Sequence, residues 1–233
     1  ETSSSATWTL LGDLTIVGDL TVSADCTLNM GINDLSVSGD ITGTGMILLG
    51  KQYFSVGDTA SALYSDDASA VGGRITLASA AANSIGVGDE VRVGSNRYYI
   101  NKRISSYVFY VQDSAANSGT VGNALLHFDS QAITIYRAFN TLDGAENGAD
   151  NASYMNATDL VANNYQLHIA CYANGTTADS TAVTIDGWTT GANNYIHIFT
   201  PVASSEVGTT QRHSGVWNTS AYYISVASEA GIT

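Results

Sequence analysis

Basic residues are scarce. Eight Lys and Arg stand against 21 Asp and Glu, a formal net charge of −13. They are scattered as Lys51, Arg74, Arg92, Arg97, Lys102, Arg103, Arg137 and Arg212. No stripe of them can neutralise a row of phosphates, which argues against nucleic acid as a partner. The acidic balance also disfavours anionic membranes. No apolar run approaches the roughly 20 residues of a membrane-spanning helix, so no membrane insertion is expected. Proline is nearly missing, with Pro201 alone, which leaves the turns to Gly, Asn and Asp. The two cysteines, Cys26 and Cys171, form no CxxC pair, so a structural zinc site is not expected. An intramolecular disulfide, a cross-link between subunits and two buried thiols are all open for them.

Catalytic signatures are lacking as well. The four histidines, His127, His168, His197 and His213, have no HExxH or other paired spacing. There is no Gly-x-Ser-x-Gly elbow, GxGxxG or P-loop. The sequence reads as a protein that is not an enzyme and takes no cofactor.

What is present favours β-structure. Charged residues make up 12%, about half the usual share, so the polar surface falls to Thr, Ser, Asn and Gly. Low charge removes the repulsion that keeps sheet edges apart, which points to assembly. Apolar residues make up 44%, enough for a real core. Val, Ile, Thr and Tyr are abundant and helix formers scarce, so the predicted fold class is all-β. The chain opens Glu1-Thr2-Ser3-Ser4-Ser5 without Met, which suggests a removed signal peptide or a fragment. Asn151, Asn156, Asn174 and Asn218 each begin an Asn-x-Ser/Thr acceptor. With them, an extracellular or cell-surface location is expected.

The clearest pattern is a repeat. Gly12-Asp13-Leu14-Thr15-Ile16-Val17 and Gly18-Asp19-Leu20-Thr21-Val22-Ser23 recur as Asn33-Asp34-Leu35-Ser36-Val37-Ser38 and Gly39-Asp40-Ile41-Thr42. On the same offset Leu28 maps to Leu49. Leu or Ile alternates with Thr or Ser, the period of a half-buried strand, and the Asp residues read as corner turns rather than calcium ligands. Residues 1–50 therefore read as a short β-solenoid segment. Two such coils cannot bury their apolar face alone and need stacking partners. Residues 51–86 read as a connecting region with one strand at Arg74–Leu77. Residues 87–136 read as a small antiparallel module, with strands that include Leu125–Phe128 and Ile133–Tyr136. In 137–233, short helical turns are predicted near Thr141–Glu146 and Ala157–Ala162. Strands are predicted at Tyr165–Tyr172, Ala182–Ile185, Tyr195–Phe199 and Tyr222–Val226.

Several stretches carry a family resemblance. They are Arg137-Ala138-Phe139-Asn140-Thr141-Leu142, Val183-Thr184-Ile185-Asp186-Gly187-Trp188, Asn194 through Pro201, Glu206-Val207-Gly208 and Gln211 through Trp217. Together they resemble the lead-in module of secreted or phage-associated right-handed parallel β-helix proteins of the pectate-lyase-like kind. The resemblance covers roughly residues 87–226. It implies β-helix-like strands in 137–233, with further coils expected beyond Thr233, and it says little about activity.

The functional expectation is a structural subunit of an extracellular self-assembling structure: a fibre, sheath, surface layer or virion appendage. Its partners would be copies of itself, with Cys26 or Cys171 available to cross-link neighbours. The alternative is a carbohydrate- or receptor-binding module of an adhesin or tail fibre, its glycans held on aromatic rings. A polysaccharide-degrading activity ranks last. Its candidates are Glu206, Arg212, His213 and His197, with Asp186 as the distant second carboxylate that glycoside hydrolysis requires. The competing reading pairs Glu206 with Arg212 to fix a loop and packs His213 on Trp217.

Overall fold

The computed structural model describes residues 5–43, 45–118, 126–227 and 230–233. The opening residues Glu1–Ser4 and Leu125 lie outside them. The described chain is all-β, with three short helices.

The N-terminal repeat builds seven short strands: β1 (Ala6–Thr9), β2 (Leu14–Ile16), β3 (Leu20–Val22), β4 (Cys26–Asn29), β5 (Leu35–Val37), β6 (Ile41–Gly43) and β7 (Met46–Leu48). They pair in parallel as β1-β4-β7, β2-β5 and β3-β6. Leu14 faces Leu35 and Leu20 faces Ile41, so each repeat unit lies beside its successor. The corners fix this register. Asp13 Oδ1 accepts from Asp34 N at 2.8 Å, and Asp19 Oδ1 accepts from Asp40 N at 2.9 Å, both 21 residues apart. The Thr21 and Thr42 hydroxyls meet at 3.0 Å. These Asp13 and Asp19 carboxylates thus satisfy backbone donors at turns. On the third side Leu28 faces Ile47 rather than Leu49, because the chain turns more tightly there. Gly43 makes that turn possible: its φ is +103°, and a Cβ would lie 2.1 Å from Val22 O. Val22, Leu28, Met30, Val37, Ile41 and Ile47 form the core inside.

The stack continues past the repeat. Gly50 N donates to Gly31 O at 2.6 Å, and Gln166 N donates to Gly50 O at 2.8 Å. Between these two points the chain runs through β8 (Lys51–Val56) and leaves to build a barrel. The barrel strands are β9 (Tyr64–Val71), β10 (Arg74–Leu77), β11 (Glu90–Val93), β12 (Asn96–Arg103), β13 (Val108–Asp113) and β14 (His127–Tyr136). All pair antiparallel and close in the order β10-β13-β12-β11-β14-β9. Ile75, Val91, Ile100, Phe109, Ile133 and Ile135 fill the interior.

The barrel begins well before residue 87. The segment expected to be a connector supplies β9 and β10. Its Ser65, Asp66 and Asp67 are exposed, and past Tyr64 its interior side chains are the small Ala68 and Ala70. A tight closed barrel suits small interior side chains, but alanine gives little strand signal. β14 is one strand rather than two, with a register shift between Phe128 and Gln131.

Helix α1 (Ala115–Ser118) follows β13. After the barrel come α2 (Leu142–Glu146), capped by Thr141 Oγ1, and α3 (Leu160–Asn163), capped by Asp159 Oδ1. β15 (Gln166–Cys171) and β16 (Ile196–Phe199) then extend β8 into a parallel sheet of order β16-β15-β8. The strands predicted at Ala182–Ile185 and Tyr222–Val226 shrink to single parallel bridges, Val183 with Ile232 and Asp179 with Ile224. We call all the parallel ladders together the trunk. Its second core centres on Phe54, which meets Tyr99, Phe139 and Tyr154 edge-on.

Candidate functional site

A buried ion pair locks the end of the barrel where it meets the trunk, joining the residue before β11 to the residue after β14. Arg137 leaves β14 and turns inward, with Nη1 at 2.5 and 2.6 Å from the Asp89 carboxylate oxygens and Nη2 at 3.1 Å from Ser84 O. The guanidinium lies 3.6 Å from the centre of the Tyr172 ring. Arg137 is 4% exposed and Asp89 0%. Beside this lock, Tyr110 on β13 donates its hydroxyl to Val37 O at 2.8 Å, tying the barrel to the N-terminal ladders.

A cavity of about 490 Å³ lies between barrel and trunk, with Tyr110 in its lining. Its apolar floor is Leu35, Val37, Ile47 and Leu49. Its polar wall is assembled from distant segments. Asp34 comes from a repeat corner, Lys51 and Tyr53 from β8, Asn101 and Lys102 from β12, and Glu206 from a C-terminal turn. Asp34 accepts from Lys51 Nζ at 2.7 Å. Glu206 Oε2 caps its own turn, accepting from Val202 N and Ala203 N at 2.8 and 3.0 Å. Burial, then the charges of Asp34 and Glu206, push the Tyr53 phenol well above its ordinary value. Tyr53 thus keeps its proton as a donor.

Behind Tyr53 runs a ladder of rings. Tyr53 stacks on His168 at 4.7 Å, and His197 stacks on Phe199 at 4.7 Å. Across the parallel pair, His168 Nδ1 and His197 Nδ1 lie 3.2 Å apart. Gln166 Nε2 donates to Asn193 O, so Gln166 Oε1 is an acceptor for His168 Nε2–H at 3.1 Å. His168 Nδ1 is then the acceptor for His197 Nδ1–H. Burial, His197 and Lys51 pull the His168 pKa down to about 3. The unfolded chain therefore protonates first on acidification. The contribution of neutral His168 is complete above about pH 6.5 and is lost toward pH 3 at about 1.4 kcal/mol per pH unit. In an NMR titration from about pH 8 to 5, the His168 ring signals are expected to stay fixed. His168→Phe is expected to flatten the acid limb of stability by about one proton; an unchanged slope would refute this account.

The candidates named from sequence fall partly together. Glu206, Arg212 and His197 line a second cavity, of about 730 Å³, beside β16. Glu206 lies on both cavities. Among the described residues no ion pair joins Glu206 to Arg212. The turn cap occupies one Glu206 oxygen instead, and Arg212 is exposed. His213 does stack on Trp217, at 5.8 Å. Asp186 lines neither cavity; its N–H bonds Glu146 Oε1 at 3.2 Å. The acid that shares a cavity with Glu206 is Asp34, which sequence reading placed among identical corner turns. Nothing in its motif separates it from Asp13, Asp19 or Asp40.

Cys26 and Cys171 are unpaired thiols in separate cores. Cys171 is buried, and burial pushes its thiol up to about 12. Of the two, only Cys26 is partly accessible. Asn151, Asn156 and Asn218 are exposed and Asn174 is half-buried in a tight turn. Among the described residues no group of three or more His, Cys, Asp or Glu is placed to hold a metal ion. Comparison with protein-family models, with curated proteins and with solved structures returns no match.

Proposed function

We propose that the chain is a non-catalytic structural subunit of an extracellular assembly, and that its trunk is a β-solenoid extended end to end by further copies. One observation carries the reading. Among the described residues β1, β2 and β3 pair only with later strands, and β16 pairs only with β15. Both ends of the trunk thus offer parallel strand edges in the same sense, a heterologous contact that need not close. Exposed Trp8, Leu11 and Val17 flank one end, and Tyr195 and Val202 the other. The register of the repeat supports the solenoid, since each unit already templates the next. The resemblance to right-handed β-helix proteins fits it as well. Electron microscopy of a concentrated sample is expected to show ordered polymers. Lysines placed on the exposed edge, Thr7→Lys with Thr9→Lys, are expected to abolish them. A chain that stays monomeric at high concentration overturns the proposal.

A further inference from the structure

We infer that the cavity between barrel and trunk is a binding site for a neutral, polyhydroxylated ligand of the size of a short oligosaccharide. Four observations point there. The first is construction: the about 490 Å³ space falls within the range of built ligand sites. Its walls come from a repeat corner, β8, β12 and the Ser205–Glu206 turn, tied to the barrel by Tyr110 to Val37 O, Arg103 N to Ser205 O and Val87 N to Glu206 O.

The second is unused hydrogen-bonding capacity. Among the described residues the Tyr53 hydroxyl and the Lys102 ammonium make no hydrogen bond, and Glu206 uses only Oε2. A ligand hydroxyl supplies both a donor and an acceptor for such groups.

The third is charge. Asp34 and Glu206 oppose an anionic ligand, while Lys51 and Lys102 oppose a cationic one. With acids and bases interleaved, the ligand that suits every wall carries no net charge. The fourth is the floor. Leu35, Val37, Ile47 and Leu49 offer an apolar surface to C–H groups, beneath a rim of donors and acceptors. A sugar ring presents both kinds of surface at once; a hydrocarbon would leave the rim unpaired.

The cavity is lined by neither β1 nor β16. Binding is therefore independent of end-to-end stacking, and a chain that stays monomeric binds all the same. The test uses the full chain and a panel of neutral di- and trisaccharides of glucose, galactose, mannose and N-acetylglucosamine at millimolar concentration. Acidic galacturonate oligomers serve as the charged comparison. Binding is read by calorimetry and by ligand-observed NMR. At least one neutral saccharide is expected to bind, and the galacturonates to bind more weakly. Tyr53→Phe keeps the ring on His168 and removes only the hydroxyl. It and Lys102→Ala are each expected to weaken binding about five- to tenfold. Trp217→Ala, at an exposed aromatic ring outside the cavity lining, is expected to leave it unchanged. The inference is overturned if no neutral saccharide of the panel binds, if the galacturonates bind more tightly, or if binding follows Trp217 and ignores Tyr53 and Lys102.

Discussion

Arg137→Met is expected to destabilise the protein by about 3–5 kcal/mol, the usual result of stripping one partner from a buried ion pair. The residue looks ordinary in the sequence, one of eight scattered bases. In the fold it is nearly solvent-free and meets both oxygens of the wholly buried Asp89. Methionine fills much of the same volume, so packing over Tyr172 is largely kept. What is lost is the counter-charge, and an isolated buried carboxylate is penalised far more than the pair. Adding Asp89→Asn to Arg137→Met removes that orphaned charge and is expected to recover part of the loss. Urea unfolding followed by tryptophan fluorescence measures both variants. A single variant within about 1 kcal/mol of the parent would mean that the ion pair contributes little to closing this end of the barrel.

The second large effect is expected at Gly72, in the turn between β9 and β10. Its φ is +58°, and a Cβ there would lie 1.7 Å from Ile41 O in the N-terminal ladders. Gly94, at the tip of the β11–β12 hairpin, has almost the same conformation, φ +61°, with nothing within 4 Å of its Cβ. Alanine at either position suffers the left-handed strain of about 1–2 kcal/mol. Only at Gly72 does it also drive the barrel off the trunk, for a further 1–3 kcal/mol or about that by the measure of overpacked cores. Gly72→Ala is thus expected to lower the denaturation midpoint clearly more than Gly94→Ala. Equal effects would mean that the hairpin does not press on Ile41.

Parts of this architecture were legible in the sequence because their cause is local. The repeat of Leu, Thr and Gly-Asp set the pairing of Leu14 with Leu35 and of Leu20 with Ile41, since each corner aspartate reaches one repeat onward. Helical turns were expected near Thr141–Glu146 and Ala157–Ala162, and α2 and α3 fall there, capped by Thr141 and Asp159. Other parts depend on partners far along the chain. Ala68 and Ala70 become barrel interior only once β14 and β10 lie beside them, so β9 looked like a linker. Val183 and Ile224 alternate like strand residues, but each gains only a single bridge. The cavity was less legible still. Glu206 stood out as a lone acid, yet its companions Asp34, Tyr53 and Lys102 belong to three segments that no spacing rule connects. The reading that paired Glu206 with Arg212 failed because the carboxylate found nearer donors in the backbone of its own turn.

The barrel's place in the chain bears on how the molecule reaches its final state. The chain leaves the trunk at Gly57 and rejoins it at Ala138, whose N–H donates to Ser55 Oγ across 83 residues. An unfolded excursion of that length makes the pairing of β8 with β15 entropically expensive. Once the barrel has closed, its first and last residues are already neighbours, and the long loop acts as a short one. The antiparallel barrel, made of shorter-range contacts than β8 and β15, is the part that can form first. The trunk then closes over an excursion that has become a compact bead. A chain that lost the barrel's closure is expected to be slow to finish folding.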